Sequence, residues 1–254
     1  MVLATLSRLV SRRRAADPVL PPGQRVYAIG DIHGRLDLFD ELLAKIEIDD
    51  AARGCAETHL ILLGDLVDRG EDSAGVVSRA IALKASGRKF RCLQGNHEEV
   101  FLKAARGDAK ATKFLIRIGG RKTLASYGVT DREYDELDYE ELARIFGERV
   151  PAAHLTFLES CEDMIEMGDY VFVHAGVRPG VALNDQKPSD LRWIREEFLR
   201  HQGAFGRVVI HGHSITDEVD RRNNRIGIDT GAYASGRLTA ICLEGAESWF
   251  LATG

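Results

Sequence analysis

Five times along this chain a short apolar run ends at a sharp turn that carries Asp, Asn or His. Val26-Tyr27-Ala28-Ile29 precedes Gly30-Asp31-Ile32-His33-Gly34, and Leu60-Ile61-Leu62-Leu63 precedes Gly64-Asp65-Leu66-Val67-Asp68-Arg69-Gly70. Phe90-Arg91-Cys92-Leu93-Gln94 leads to Gly95-Asn96-His97-Glu98, Tyr170-Val171-Phe172-Val173 to His174-Ala175-Gly176, and Val208-Val209-Ile210 to His211-Gly212-His213-Ser214. A short apolar run closed by such a turn reads as a buried strand. The polar side chains then sit at strand carboxyl ends, where open α/β sheets form their ligand crevice.

Between the first runs the period changes. Leu36, Leu38, Phe39, Leu42, Leu43 and Ile46 place an apolar stripe on a helix, and residues 74–84 give a second. Strands alternating with helices predict right-handed crossovers and parallel neighbours, with Asp31, Asp65 and Asn96 on one sheet edge. Strand signals fade over residues 99–168, where short helices are expected at 101–105, 113–118, 140–146 and 151–159. Gly119-Gly120 and Tyr127-Gly128 punctuate this helical insertion, and the acidic stretch 131–141 reads as a solvated face. Strands resume at Tyr170; a helix carrying Leu191, Trp193, Ile194 and Phe198 follows a loop over 178–188, and further strands begin near Arg207, Ile226, Leu238 and Ser248. Glycines between the last three predict an antiparallel meander. The pattern as a whole predicts an α/β protein of two packed mixed β-sheets flanked by helices, spanning residues 25–254.

The leader, residues 1–24, differs. Leu3, Leu6, Leu9 and Val10 fall at helical spacing beside Arg8, Arg12, Arg13 and Arg14, before Asp17-Pro18-Val19-Leu20-Pro21-Pro22-Gly23 breaks any helix. It reads as a flexible basic arm, with weak membrane-surface contact or tethering to an acidic partner as sharper alternatives. The chain's 254 residues suffice for a sizeable core, and a net charge of -5 lends no support to a general nucleic-acid-binding surface. Cys55, Cys92, Cys161 and Cys242 lack metal or redox spacing, so reduced thiols in the cytoplasm are the simpler reading. No apolar stretch is long enough to span a bilayer, so no stable membrane association is expected.

The turns carry the chemistry. In Asp31-x-His33 residues two apart in extended backbone project to one side, so one cation can take both. Asp65, Asn96, His174 and His213 add mixed nitrogen and oxygen ligands, enough for two adjacent divalent ions if Asp65 bridges. Two such ions about 4 Å apart can hold an activated water and clamp phosphoryl oxygens. His97, beside a ligand yet left over from ligation, suits the general acid for the leaving oxygen, with Asp68 fixing its tautomer. Arg69 offers the planar fork that suits phosphate. Imidazole with carboxylate and amide oxygen accommodates Mn, Fe or Zn, and Mn2+ is the expected ion in vitro.

In this order the five motifs resemble those of the calcineurin-like metallophosphoesterases, over about residues 26–243. The Val-Asp-Arg-Gly and Asn-His-Glu forms are similar to the phosphoprotein phosphatase branch, including bacterial and phage enzymes, and to the related symmetrical dinucleoside tetraphosphatases. The resemblance implies a calcineurin-like fold, a first metal on Asp31, His33 and Asp65, and a second on Asp65, Asn96, His174 and His213. It further implies His97 as general acid, Asp68 as its partner, Arg69 as a phosphate ligand, and a second arginine, for which Arg195 is preferred to Arg192. His211 is expected behind the ligands, with direct ligation as the alternative; Arg178 is a further candidate for phosphate, and Asp229 for supporting a ligand. The implied activity is hydrolysis of phosphomonoesters, foremost phosphoserine or phosphothreonine on proteins. The nearest alternative is symmetrical cleavage of dinucleoside tetraphosphate, since the stretch from Gly119 to Gly128 resembles both kinds of enzyme. A binding module held together by inert metals is a third, weaker reading.

Overall fold

The protein is described by a computed structural model over residues 17–254. From the amino end come β1 (Gln24–Ile29), α1 (Leu36–Ala52), β2 (Glu57–Leu62), α2 (Ser73–Ala85) and β3 (Lys89–Cys92). β2 pairs in parallel with β1 and with β3, as the alternation of periods predicts. The helical region follows as α3 (Asn96–Ala105), α4 (Ala109–Leu115), a π turn at Ile116–Gly120, α5 (Arg121–Ser126), α6 (Asp131–Glu136), α7 (Tyr139–Arg149) and α8 (Ala152–Glu159). Next come β4 (Met164–Met167), β5 (Tyr170–Val173), α9 (Pro188–Trp193), α10 (Glu196–Leu199) and β6 (Val208–His211). The chain closes with β7 (Asp220–Arg221), β8 (Arg225–Gly227), α11 (Ala232–Ser235), β9 (Thr239–Glu244) and β10 (Glu247–Ala252).

The strands form two mixed sheets, ordered β10-β9-β1-β2-β3 and β4-β5-β6-β8-β7. Alternation along each strand divides the core into layers. Val26, Ala28, Ile61, Leu63, Ile241 and Leu243 of the first sheet meet Ile165, Phe172, Ile210 and Ile226 of the second. On the first sheet's other face Tyr27, Ile29, Leu60 and Leu62 join Leu38, Phe39 and Leu42 of α1 and Val76 and Val77 of α2 in a core that extends into the helical region. Val171, Val173 and Val209 turn outward to Leu191, Ile194 and Phe198. Strands buried on both faces explain why the apolar runs are nearly unbroken rather than alternating.

Four details differ from the expectations, the first being that the helix expected to carry Leu191, Trp193, Ile194 and Phe198 is two, α9 and α10, broken at Ile194 and Arg195. β8 is not part of a meander with the last two strands: it pairs in parallel with β6, and only β9 and β10 form a hairpin, β9 lying antiparallel to β1. Gly231 and Gly236, with φ of 69° and 74°, bracket α11 and carry the chain from one sheet to the other. Met164–Met167, expected within the helical stretch, is strand β4, paired antiparallel with β5. The end of the leader is packed: Leu20 is buried and donates its N–H to Gly245, while the Val19 N–H donates to Asp169. The arginines and leucines of the leader's first residues, with their expected helix, lie outside the described residues.

Candidate metal centre

Each of the five motif turns meets another backbone to backbone: Gly34 donates its N–H to Leu66 at 2.8 Å and Gly212 to His174 at 2.9 Å. A Cβ on Gly64, whose φ is 96°, would stand 2.7 Å from the Gly95 nitrogen, so glycine lets the turns after β2 and β3 touch. Among the described residues five non-glycines also have positive φ: His33 and Asp65 at 48°, Asp68 at 72°, Arg69 at 70° and His213 at 64°. All five belong to the predicted site, where such conformations, costing on the order of 1–3 kcal/mol each, concentrate. Glu98 offsets that cost. Its buried carboxylate accepts N–H groups from Asp65 (2.8 Å), Leu66 (2.7 Å) and Gly95 (2.8 Å) and so fixes two turns at once.

These turns gather His33, Asp65 and His97 into one buried triad, and Asp65, His174 and His213 into another. Asp65 belongs to both. His33 Nδ1 donates to the Val67 carbonyl at 2.7 Å and His174 Nδ1 to the Leu63 carbonyl at 2.9 Å, so each ring turns its Nε2 lone pair to the centre. His174 Nε2 stands 3.0 Å from Asn96 Oδ1, 3.2 Å from His213 Nδ1 and 3.4 Å from Asp65 Oδ1. His33 Nε2 and His213 Nε2 are buried without a hydrogen-bond partner among the described residues. Acceptor atoms converging at such separations, with orphaned imidazole nitrogens beside them, fit divalent cations of the Mn, Fe or Zn type.

Electrostatics point the same way. Asp31 lies outside both triads, and its two oxygens take the His213 N–H at 3.0 and 3.1 Å. Burial, then the charges of Asp229 and Asp65, push its carboxyl well above the usual range. Burial likewise raises Asp65 and Asp229 and lowers His174 to about 4. Crowded buried carboxylates beside neutral imidazoles call for compensating positive charge.

His97 is held differently from the other imidazoles. Its Nδ1 lies 2.6 Å from Asp68 Oδ2, while the other Asp68 oxygen accepts the Thr123 hydroxyl at 2.6 Å. Burial opposes its charge, but Asp65 and the Asp68 hydrogen bond outweigh that, and its pKa is raised. Arg69 reaches His97 Nε2 at 3.2 Å. Geometry also lets His97 share a triad with Asp65, its Nε2 standing 3.8 Å from Asp65 Oδ2.

Of the remaining candidates, Arg195 occupies the break between α9 and α10, exposed and with no ionic partner among the described residues. Its charge contributes to lowering the His213 pKa, after burial and His174. Arg192 is bound to Asp163 and Glu99, and Arg178 to Asp190 and Glu197, so both guanidiniums are engaged away from the centre. His211 faces Gly212, Arg225 and Phe198 and joins neither triad. Asp229 supports the loop through the Gly231 N–H. Sequence reasoning passed over Glu98 and also Ser73, whose hydroxyl accepts the Asp68 N–H at 3.0 Å; the Glu of Gly-Asn-His-Glu was the available signal for the first.

A family profile described as Calcineurin-like phosphoesterase matches residues 24–235. A symmetrical bis(5'-nucleosyl)-tetraphosphatase of Acidovorax sp. (strain JS42) is 33% identical over 187 residues, which are 72% of this chain and 51% of that protein. The chain therefore spans about half the length of that relative. Serine/threonine-protein phosphatase 1 of Salmonella typhimurium is 27% identical over 87% of this chain and 93% of its own. Among solved structures, one assigned provisionally as a diadenosine tetraphosphatase superposes with a TM-score of 0.63 at 22% identity, covering 93% of this chain and 97% of that one.

Proposed function

The chain belongs to the calcineurin-like phosphoesterase family, and from that premise we propose that it hydrolyses phosphomonoesters, foremost phosphoserine and phosphothreonine on proteins, with His97 as general acid. The observation that carries this reading is the pairing of His97 with Asp68 beside two triads that share Asp65. Asp31, His33 and Asp65 would hold one divalent ion, and Asp65, Asn96, His174 and His213 the other, with Mn2+ the expected metal. When bound, the ions supply Lewis acidity to the phosphoryl group and to the attacking water. Arg69 and Arg195 hold phosphoryl oxygens, Arg69 through its planar fork. The Asp68 carboxylate keeps the His97 proton on Nδ1 and favours the imidazolium, so Nε2 can give its proton to the departing oxygen.

The relative that supports protein substrates is the Salmonella serine/threonine-protein phosphatase 1, matched over nearly its full length. A second reading, symmetrical cleavage of dinucleoside tetraphosphates, is supported by the higher identity to the Acidovorax enzyme. The same residues would serve, with His97 protonating a phosphate oxygen. Turnover of Mn-loaded protein on a phosphothreonine peptide and on diadenosine tetraphosphate, at equal concentrations, separates the two. A kcat/KM at least tenfold higher on the peptide is expected; the reverse preference moves the protein to nucleotide hydrolysis, and inactivity on both defeats the reading of the site.

A further inference from the structure

Arg69, like Arg195, has no carboxylate partner among the described residues, whereas other cations lining the cavity beside it are paired. Arg35 is paired with Asp37 at 2.7 Å, and Lys122 is paired with Glu71. Arg69 is instead fixed by uncharged groups. Its backbone N–H donates to the Gly119 carbonyl at 3.0 Å. A Cβ on Gly119, whose φ is 115°, would come within 2.7 Å of Arg69 Cγ, so only glycine lets that stem pass. The guanidinium carbon sits 4.7 Å from the centre of the Tyr233 ring. Tyr233, 37% exposed, also meets His33 at 5.6 Å between ring centres and 86° between planes. Arg69, Tyr233, Gly34, Gly70 and Lys122 line one cavity of about 680 Å³.

We propose that Tyr233 is a positioning residue whose ring holds the Arg69 guanidinium ready for phosphoryl oxygens. The proposal rests on the reading of Arg69 as a phosphate ligand. A carboxylate partner would occupy the in-plane N–H donors that phosphate needs and compete with it for them. An aromatic face contacts the plane of the guanidinium and leaves those donors available. The guanidinium so held stands beside the proposed acid, one of its nitrogens 3.2 Å from His97 Nε2.

The test compares wild type with Tyr233→Ala, Tyr233→Phe and the Arg69→Ala/Tyr233→Ala double variant. Inorganic phosphate binding to Mn-loaded protein is measured by calorimetry, and KM and kcat on p-nitrophenyl phosphate are followed separately. Y233A is expected to weaken phosphate binding and raise KM by about three- to fivefold, the size of a partly exposed cation–π contact. Its kcat should change less; Y233F should restore binding, and the double variant should bind no worse than Arg69→Ala alone. Equal damage by Y233F and Y233A, or a loss of bound manganese in Y233A with phosphate affinity unchanged, would overturn the proposal and assign Tyr233 to His33. Phosphate binding that depends on Tyr233 in a protein without turnover would uphold the proposal while defeating the phosphatase reading. Wild type that binds no phosphate at all would overturn both.

Discussion

At the scale of single residues, two roles compete for His97. Its Nδ1 is committed to Asp68, which suits an acid aimed through Nε2, yet it lies close enough to Asp65 to share a cation with His33. The leaving group distinguishes these roles. An alkyl phosphate departs as a strongly basic alkoxide and needs a proton, whereas p-nitrophenolate departs without much help. His97→Ala is expected to lose about 10²- to 10⁴-fold in kcat on a phosphothreonine peptide, far less on p-nitrophenyl phosphate, and no bound metal. Equal losses on both substrates together with metal loss would make His97 a ligand. The Asp, Asn and His identities of this centre were legible because each closes an apolar run. What holds them was not. Glu98 reaches the Asp65 and Leu66 N–H groups across more than thirty residues of chain, a main-chain contact that leaves no spacing signature. Nor does sequence announce that Asp65, Asp68 and Arg69 take the left-handed conformation, which in these types is set by surrounding contacts.

At the scale of elements, α6 is tied to its neighbours in the helical region more by charge than by burial. None of its residues is buried. Its Thr130 cap and Glu133 form a reciprocal capping box, and Arg149, the last residue of α7, binds Glu133 and the Gly128 carbonyl. The Arg149 hydrogen bond, with the Thr130 N–H and hydroxyl, holds the Glu133 carboxyl down to about 2. A folded pKa below the unfolded value, about 4.3 for Glu, stabilises the native state above that range, and the benefit fades as pH falls toward 2. Glu133→Gln is therefore expected to melt below wild type at pH 7 and to converge with it under acid, measured by thermal denaturation across pH. A gap that persists at the lowest pH would mean that packing, not charge, ties α6 to α7. Elements of this kind were harder to read than the parallel strands. The acidic run 131–141 looks like solvated surface because its stabilising contacts are ionic, and β4 and β8 are too short for periodicity to separate them from loop.

At the scale of the molecule, the layered fold and the centre form one electrostatic arrangement. Parallel strands bring Asp31, Asp65 and Asn96 to a common edge, and the second sheet brings His174 and His213 against them, so folding itself presses Asp31, Asp65 and Asp229 together out of water. The two-sheet plan was legible from the repeated strand-turn pattern; the path of the chain between sheets at Gly231 was not, since adjacency in sequence favoured a meander. A fold that concentrates buried carboxylates should be stabilised by cations as well as activated by them. At a metal concentration a hundredfold above Kd the gain is about 2.7 kcal/mol, which for a chain of this size corresponds to a melting shift of about 5–10 °C. Chelation is accordingly expected to lower the melting temperature by that order and abolish phosphatase turnover while far-ultraviolet circular dichroism stays native, with Mn2+ restoring both. If metal restores the melting temperature but no phosphoester is turned over, the ions serve only to neutralise the carboxylates. If chelation stops turnover and leaves the melting temperature where it was, the buried charge is being relieved by protonation of Asp31 and its neighbours, and the metals act in the chemistry alone.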